Sequence, residues 1–584
     1  MFKLILKSHK LLDFEEKKKF YILFFLILVG FILEAASIGS IIPLLILLSE
    51  NDSFFKIYFI EEFIFFQSLN EKQKLIFFVS IFFSLFFLKN LFLLFFNWYS
   101  SKFSTQLSIN LANKLYKKYI NQSYIFFIKN SSSSLLRNII TETKRFANNI
   151  IVTNANLILE ILVLISISLI LFFYDYKSFL FVVAVSIISF LILQLFTRKK
   201  LEEASKNRFL YEKKLINRVQ TSFNLFKIIK VFVKNRIFHE IFFDDLKRYS
   251  YSIRNIQFIN KIPRFIFEIV VIIAFSFLIL FLLKNEKNNV DIITLLGLFV
   301  AAASRIFPAI LRIVNSYQSL KSSRPSMQII VSELKKNSDK KTNNNNNLNI
   351  VFKNQISLKN IYFKYANSDK YVFKNLNFKI KKNQIIGVVG PSGSGKSTLI
   401  DIVMGLIKAD KGSILLDGKK LKKNDLKYLQ KFVGYVPQGT FLIDDTIEKN
   451  IAFGANENSI DKEKIVSSAK NSQIHNYIKS LPRGYKTKIY EKGTNLSEGQ
   501  KQRISLARAL YFDPQILILD EATAALDMKT EKKFINYLKT LKKKKTIIII
   551  SHQYKILSIC NKIFCFDFNN NFNEMKKKYI RKLT

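Results

Sequence analysis

Within the first 320 residues the apolar side chains are gathered into six blocks, at about residues 20–48, 74–98, 154–174, 178–197, 265–283 and 291–313. A helix needs about 20 such residues to cross the hydrocarbon core of a bilayer, so each block is long enough to span it. A chain with six of them buries them in lipid, where only helices or closed barrels satisfy the backbone, and runs of this length read as helices. The first half is therefore expected to be an all-α transmembrane domain with six spans. An even number returns the chain to the side on which it began.

The second and fourth connections, about 55 and about 65 residues long, greatly exceed ordinary loops yet keep helical apolar spacing and many Lys and Arg. The spacing predicts that the spans run on into the cytosol as long helices, which turn around near Ile125–Leu136 and Phe223–Phe232. The short turns Asp175-Tyr176-Lys177 and Lys284–Asn289, and the acid-bearing loop Glu50–Glu71, face the other side. Ahead of the first span, Met1–Lys19 is basic and amphipathic, and is expected to lie along the cytoplasmic surface as a helix. It lacks the apolar core and small residues of a cleavable signal peptide. The formal net charge of +47 would suggest nucleic acid in a soluble chain. Here the Lys and Arg concentrate in segments that the positive-inside rule places in the cytoplasm, so no nucleic-acid partner is expected. The two cysteines, Cys560 and Cys565, make neither a disulfide framework nor a zinc site.

Ionisable residues inside apolar blocks are expensive and need a reason. Glu34, Lys89, Glu160, Arg264, Glu268, Arg305 and Arg312 sit in or at the ends of these blocks. Two readings stand: they pair across helices as structural glue, or they line a cavity for a charged cargo. For the glutamates the first is the better reading. For Lys89, Arg264 and Arg305, which lack enough nearby acids in the sequence to neutralise them, the second is the better reading and suggests an anionic head group.

After the Asn-rich stretch 337–349, which reads as a flexible linker, the texture changes. Residues 350–584 alternate short apolar runs with helical patterns, the signature of an α/β domain, and residues 1–336 make up the membrane domain. The α/β part contains Gly390-Pro-Ser-Gly-Ser-Gly-Lys-Ser-Thr398, a G-x-x-x-x-G-K-[ST] phosphate loop between a strand-like run and a helix. Gly390, Ser392, Gly393 and Gly395 allow backbone N–H groups to wrap phosphate at a helix N-terminus. Lys396 is placed to reach the terminal phosphates, Ser397 to hold Mg²⁺, and Thr398 closes the loop. The buried run Ile516–Leu519 ends in Asp520, a second metal-holding residue, and Glu521, a general base for the attacking water. Another apolar run delivers Ser551-His552 to the same edge, with His552 toward the γ-phosphate. Gln438 follows the strand Val433–Val436 and would sense metal and water, while Tyr365 would stack on a base. The cofactors expected are ATP and Mg²⁺.

Leu496-Ser-Glu-Gly-Gln-Lys-Gln-Arg503 resembles the signature of the ATP-binding cassette transporters, which a plain phosphate-loop ATPase does not need. The resemblance implies that Ser497, Gly499 and Gln500 meet nucleotide held by the other subunit's phosphate loop. It likewise implies that Asp527, in Ala525-Leu526-Asp527, belongs to a loop communicating across that dimer. Tyr490-Glu491-Lys492-Gly493 resembles the segment that exporters use to touch their membrane half. One position departs from the pattern: Glu498 stands where Gly is usual. Ile41-Ile42-Pro43, Pro263-Arg264 with Glu268, and Ser304–Pro308 with Arg312 resemble bacterial lipid-linked oligosaccharide flippases. The resemblance implies a homodimeric ATP-driven exporter or flippase of the bacterial inner membrane, acting on an amphipathic, anionic, lipid-linked substrate. A peptide or drug exporter, and a membrane-tethered regulatory ATPase that transports nothing, are the alternatives.

Overall fold

The computed structural model describes residues 12–40, 71–174, 176–284, 289–335, 351–365, 368–422, 425–490, 493–567 and 572–575. The linker 337–349, Ile41-Ile42-Pro43, Asp175, Glu491-Lys492 and the acidic loop before Glu71 lie outside the described residues. The chain divides into two compact units, Met1–Gln122 with Phe127–Lys341, and Ser123–Phe126 with Thr342–Thr584.

The chain up to residue 335 is helical: α1 (Phe14–Gly39), α2 (Glu71–Ile120), α3 (Tyr124–Lys129), whose first half belongs to the second unit, α4 (Ser132–Arg137), α5 (Thr143–Phe146), α6 (Thr153–Tyr174), α7 (Tyr176–Asn224), α8 (Phe226–Val231), α9 (Asn235–Lys284), α10 (Asn289–Ser322) and α11 (Arg324–Lys335). The described parts of the six apolar blocks fall on α1, α2, α6, α7, α9 and α10. Helices α2, α7 and α9 run for 50, 49 and 50 residues. At 1.5 Å per residue that is about 75 Å each, more than twice a bilayer core, so these helices project well beyond it. Short helices occupy the expected tips, α3 and α4 at one and α8 at the other.

Residues 1–11, the greater part of the segment expected to lie along the membrane surface, are outside the described residues. Residues 14–19 do not lie apart from span one but are the first turns of α1 itself. Glu16 explains the continuity. Its carboxylate accepts from the Asp13 N–H at 2.8 Å, and it is buried against Asn110 and Lys114 of α2 at 3.0 and 3.2 Å. A helix start pinned to its neighbour in this way has no reason to break at the membrane edge. The turn after α6 is likewise tighter than expected, since Tyr176 and Lys177 already belong to α7.

Beyond the apolar blocks the helices are held by ions. Arg145 grips the Glu212 carboxylate through two nitrogens, at 2.5 and 2.9 Å, joining α5 to α7. Arg137 donates to the Phe209 carbonyl at 3.3 Å and stacks 4.0 Å over its ring. Two π-helical turns, Asn138–Glu142 and Ala147–Val152, flank α5, and the wider turns re-aim the buried Glu142 toward Arg137 and Arg145.

The second unit holds two sheets. β1 (Gln355–Phe363), β2 (Phe373–Lys381), β4 (Lys411–Leu416) and β5 (Lys419–Lys420) form an antiparallel sheet in the order β2-β1-β4-β5. The other sheet contains β3 (Ile385–Val389), β6 (Val433–Val436), β7 (Ile516–Asp520), β8 (Thr546–Ile550), β9 (Lys562–Phe566) and β10 (Phe572–Met575), in the order β10-β9-β3-β8-β7-β6. Strands β9, β3, β8, β7 and β6 are mutually parallel. β3, β7 and β8 are buried along their whole length, which explains why they read as continuous apolar runs. Helices α12 (Lys396–Val403), α13 (Glu498–Tyr511) and α14 (Met528–Leu541) pack around this core. Ile125, from the segment Ser123–Phe126, packs into the same unit's core. Cys560 and Cys565 are not joined in a disulfide.

Candidate functional site

In a parallel sheet with helical crossovers, ligands bind beyond the carboxyl ends of the strands. Four strands deliver the expected residues to that edge: β3 leads into the phosphate loop, β7 ends at Asp520, β8 leads to Ser551-His552, and β6 leads to Gln438. Strands distant in sequence thus converge because of the sheet order.

The phosphate loop joins β3 to the N-terminus of α12. Gly395 caps that helix at φ +96°, and a side chain there would come within 2.9–3.0 Å of Val372 and the Phe373 ring. Only glycine accepts both the left-handed backbone and the crowding. Lys396 folds over the loop, donating to the carbonyls of Gly390 and Pro391 at 2.7 and 2.9 Å. Burial pushes its pKa below the usual lysine value, opposed by the nearby carboxylates of Glu521 and Asp520. The Ser394 hydroxyl is buried with no hydrogen-bond partner among the described residues, a group left for an anion's oxygen. Ser392, Gly393 and Ser397 are exposed on the loop, while Thr398 is buried and bonded to the Tyr365 hydroxyl at 3.0 Å. That bond, with an edge-on Phe363 ring 5.0 Å away, fixes Tyr365 beside the loop.

Around Glu521 the grouping is tight. Gln438 donates its amide to Oε2 at 2.8 Å, and His552 Nε2 lies 3.9 Å from Oε1. Glu521 itself has φ +52°, a left-handed conformation that a non-glycine residue holds only where the surroundings enforce it. Its N–H is tied to the Ile550 carbonyl at 3.0 Å, and its carbonyl accepts from Gln502 at 3.3 Å. Burial raises the Asp520 pKa, and the neighbouring Glu521 charge adds to this, while the Tyr435 hydroxyl donates to it at 3.4 Å. Behind it Asp401 is pushed up to about 6, by burial and then by the Asp520 charge.

Sequence reasoning missed Tyr435, Asp401 and Gln502. Gln502 also accepts from Ala525 N–H at 3.3 Å, so it ties the signature helix to the loop after Glu521. Asp401 lies just after the phosphate loop and Gln502 inside the signature stretch, and in the sequence both show only as polar residues on helices. Tyr435 needed the β6–β7 pairing to be seen.

Ser497 caps α13. Its hydroxyl oxygen accepts from Gln500 N–H at 3.3 Å, and its N–H donates to Gln500 Oε1 at 2.9 Å, a reciprocal capping box. The hydroxyl hydrogen stays available as a donor. Gly499 permits close packing, since a Cβ there would meet the Ala525 carbonyl at 2.6 Å. Asp527 caps α14 by accepting from Thr530 N–H at 3.0 Å. The described residues contain no cluster of three or more acidic, His or Cys side chains placed to hold a metal alone. Magnesium is commonly held by one or two protein oxygens together with substrate phosphates, and the Ser397 hydroxyl, Asp520 and Gln438 are donors of that kind.

Among the described residues of the membrane unit, Lys89, Arg264 and Arg312 each have an acid partner. Lys89, expected to meet an anion, is 3% exposed and pairs with Glu34 at 3.2 Å, with its ammonium 4.5 Å over the Phe86 ring. Helix packing brings α2 against α1 and supplies the acid that sequence spacing hid. Arg312 pairs with Glu160 at 2.5 Å, and Arg264 with Glu268 at 2.9 Å one turn along α9, where its side chain is 71% exposed. The Arg305 side chain lies outside the described residues.

Comparison with known proteins places both halves. The profile of the ABC transporter transmembrane region matches residues 19–304, and that of the ABC transporter matches residues 373–524. The chain belongs to the ABC transporter family. It fuses the helical transmembrane half to the family's ATPase domain in one polypeptide. Over 215 residues this ABC transporter is 39% identical to an ATP-dependent lipid A-core flippase of Saccharophagus degradans, spanning 37% of this chain and 36% of that protein. Over 212 residues it is 41% identical to Heavy metal tolerance factor 1 of Caenorhabditis elegans, spanning 36% of this chain and 26% of that protein. The matched region is thus about a third or less of these relatives' length. The fold is similar to a solved structure of a bacterial Atm1-family ABC exporter with ATP bound, with a TM-score of 0.78, 19% identity, and coverage of 97% of this chain and 96% of that one.

Proposed function

We propose that this ABC transporter hydrolyses ATP to drive export or flipping of an amphipathic lipid with an anionic, lipid-linked head group across the bacterial inner membrane. The observation that supports it most is the convergence of Lys396, Asp520, Glu521, Gln438 and His552 on one sheet edge, in a chain that also carries six apolar helices. Lys396 and the loop N–H groups hold the phosphates. Gln438 fixes the Glu521 carboxylate, which takes the proton of the attacking water, and His552 stands beside it toward the γ-phosphate. Magnesium, held by Ser397, Asp520 and Gln438, would neutralise phosphate charge during transfer. Tyr365 receives the adenine.

The working unit is a homodimer. Ser497 and Gly499 lie on an exposed helix start and are assigned to nucleotide on the other copy, with Asp527 in the connecting loop. The α8 tip leaves Phe226, Ile228, Val231 and Phe232 exposed on a single chain, an apolar patch suited to a second copy. The anionic cargo rests on Arg264, whose outward-facing guanidinium stands near the middle of α9 where its apolar block begins, and on the flippase named above.

Mixed dimers test the shared site. Ser497→Arg on one copy and Lys396→Ala on the other place both lesions in one composite site and leave the second intact. Purified, differently tagged heterodimers are therefore expected to bind one nucleotide tightly per dimer and to keep part of the parent turnover. Two equally defective sites would contradict the shared arrangement.

A further inference from the structure

The signature helix opens on an acid. Glu498 is the first residue of α13, and its carboxylate lies 2.9 Å from the Lys501 ammonium one turn on. The two side chains are held differently: Glu498 is 69% exposed, whereas Lys501 is 14% exposed. The Lys501 stem runs along Gly493, where an added Cβ would come within 3.1 Å of its Cε. Lys501 is thus seated in the body of the unit and draws an otherwise solvent-facing carboxylate back along the helix.

Glu498 is not needed to start the helix. The Ser497–Gln500 capping box already satisfies the first turn, and Arg503 donates back to the Gly499 carbonyl at 3.2 Å. What the acid does change is the field. A helix N-terminus carries roughly half a positive charge, which favours an incoming anion, and a full negative charge in the first turn opposes it.

We propose that Glu498 weakens the grip of α13 on the triphosphate of the opposite copy, and that Lys501 limits this by neutralising the carboxylate and holding it aside. The proposal rests on the shared-site reading above. Glu498 is then a residue that sets nucleotide affinity, and not a catalytic one. Because the pair is partly exposed, its influence is screened by salt.

The test is steady-state ATP turnover by the full-length protein in liposomes, with ATP concentration varied. Glu498→Gln is expected to lower KM for ATP by roughly two- to fivefold with kcat little changed, the range a helix-end charge supplies. Lys501→Ala unmasks the acid and should raise KM by a similar factor. In the Glu498→Gln background the same Lys501→Ala change should raise KM by a smaller factor, because only the field of the lysine is lost and no carboxylate is released toward the phosphates. The KM difference between the parent and Glu498→Gln should shrink at high salt. An unchanged KM in Glu498→Gln, or a Lys501→Ala effect of equal size in both backgrounds, would overturn the proposal. Ser497→Arg run in parallel separates the two readings. Turnover lost there with KM unmoved in Glu498→Gln removes this inference alone, whereas turnover retained there removes the shared site.

Discussion

Glu521→Gln is expected to bind ATP as the parent does and to hydrolyse it at least about a hundredfold more slowly, the lower end of what a positioned general base contributes. The reason lies in what the substitution leaves alone. The phosphate loop is built on β3 and α12, and Lys396 is held there by the carbonyls of Gly390 and Pro391, so the cradle does not depend on the Glu521 carboxylate. The backbone of Glu521 is pinned by Ile550 and Gln502, and glutamine keeps the size of the side chain. Its amide cannot take a proton from water. The variant should accumulate with ATP bound, detectable as nucleotide retained on a desalting column. Near-parent turnover would remove Glu521 from the base's role. Gln438→Ala should give a smaller loss, since it frees the carboxylate's orientation without removing the base.

The second large effect concerns stability. Lys89→Ala removes the partner of Glu34, which is 8% exposed, and stranding one member of a buried ion pair costs about 3–5 kcal/mol. Thermal unfolding in detergent should show a clear drop in Tm. The double change Lys89→Met with Glu34→Gln removes both charges and should recover most of the loss, because a neutral pair needs no ionic partner. Arg264→Ala, by contrast, acts on a pair on the outward surface of α9 that no other described helix encloses, so its Tm should fall less than that of Lys89→Ala. If Arg264 meets an anionic head group, Arg264→Ala should instead reduce transport while ATP turnover persists. A Lys89→Ala protein as stable as the parent would contradict the buried pairing.

These outcomes mark where the sequence was legible. The phosphate loop, the Asp520-Glu521 strand end and the signature are local: the residues lie within a few positions of one another, and their types are fixed by the loop or cap they make. Helix length was legible too, because apolar spacing continues past the membrane blocks through α2, α7 and α9. The misses are long-range. Lys89 and Glu34 are 55 positions apart and meet only through helix packing, and Arg145 and Glu212 are 67 apart. Tyr435 reaches Asp520, 85 positions away, only because β6 pairs with β7. The basic residues before span one suggested an interfacial segment, but at residues 14–19 the buried Glu16 decides the packing.

The most direct test of ATP-driven lipid movement is made in liposomes containing the purified protein and an anionic lipid bearing a quenchable fluorophore on its head group. Adding ATP and Mg²⁺ to the outside energises only the copies whose ATPase domains face outward. An impermeant quencher then reports how much lipid remains in the outer leaflet. The result expected is an ATP-dependent change in the quenchable fraction with the parent protein, none with Glu521→Gln, and a reduced change with Arg264→Ala. Parent protein that hydrolyses ATP while the leaflet distribution of the anionic lipid stays the same with and without ATP would contradict it.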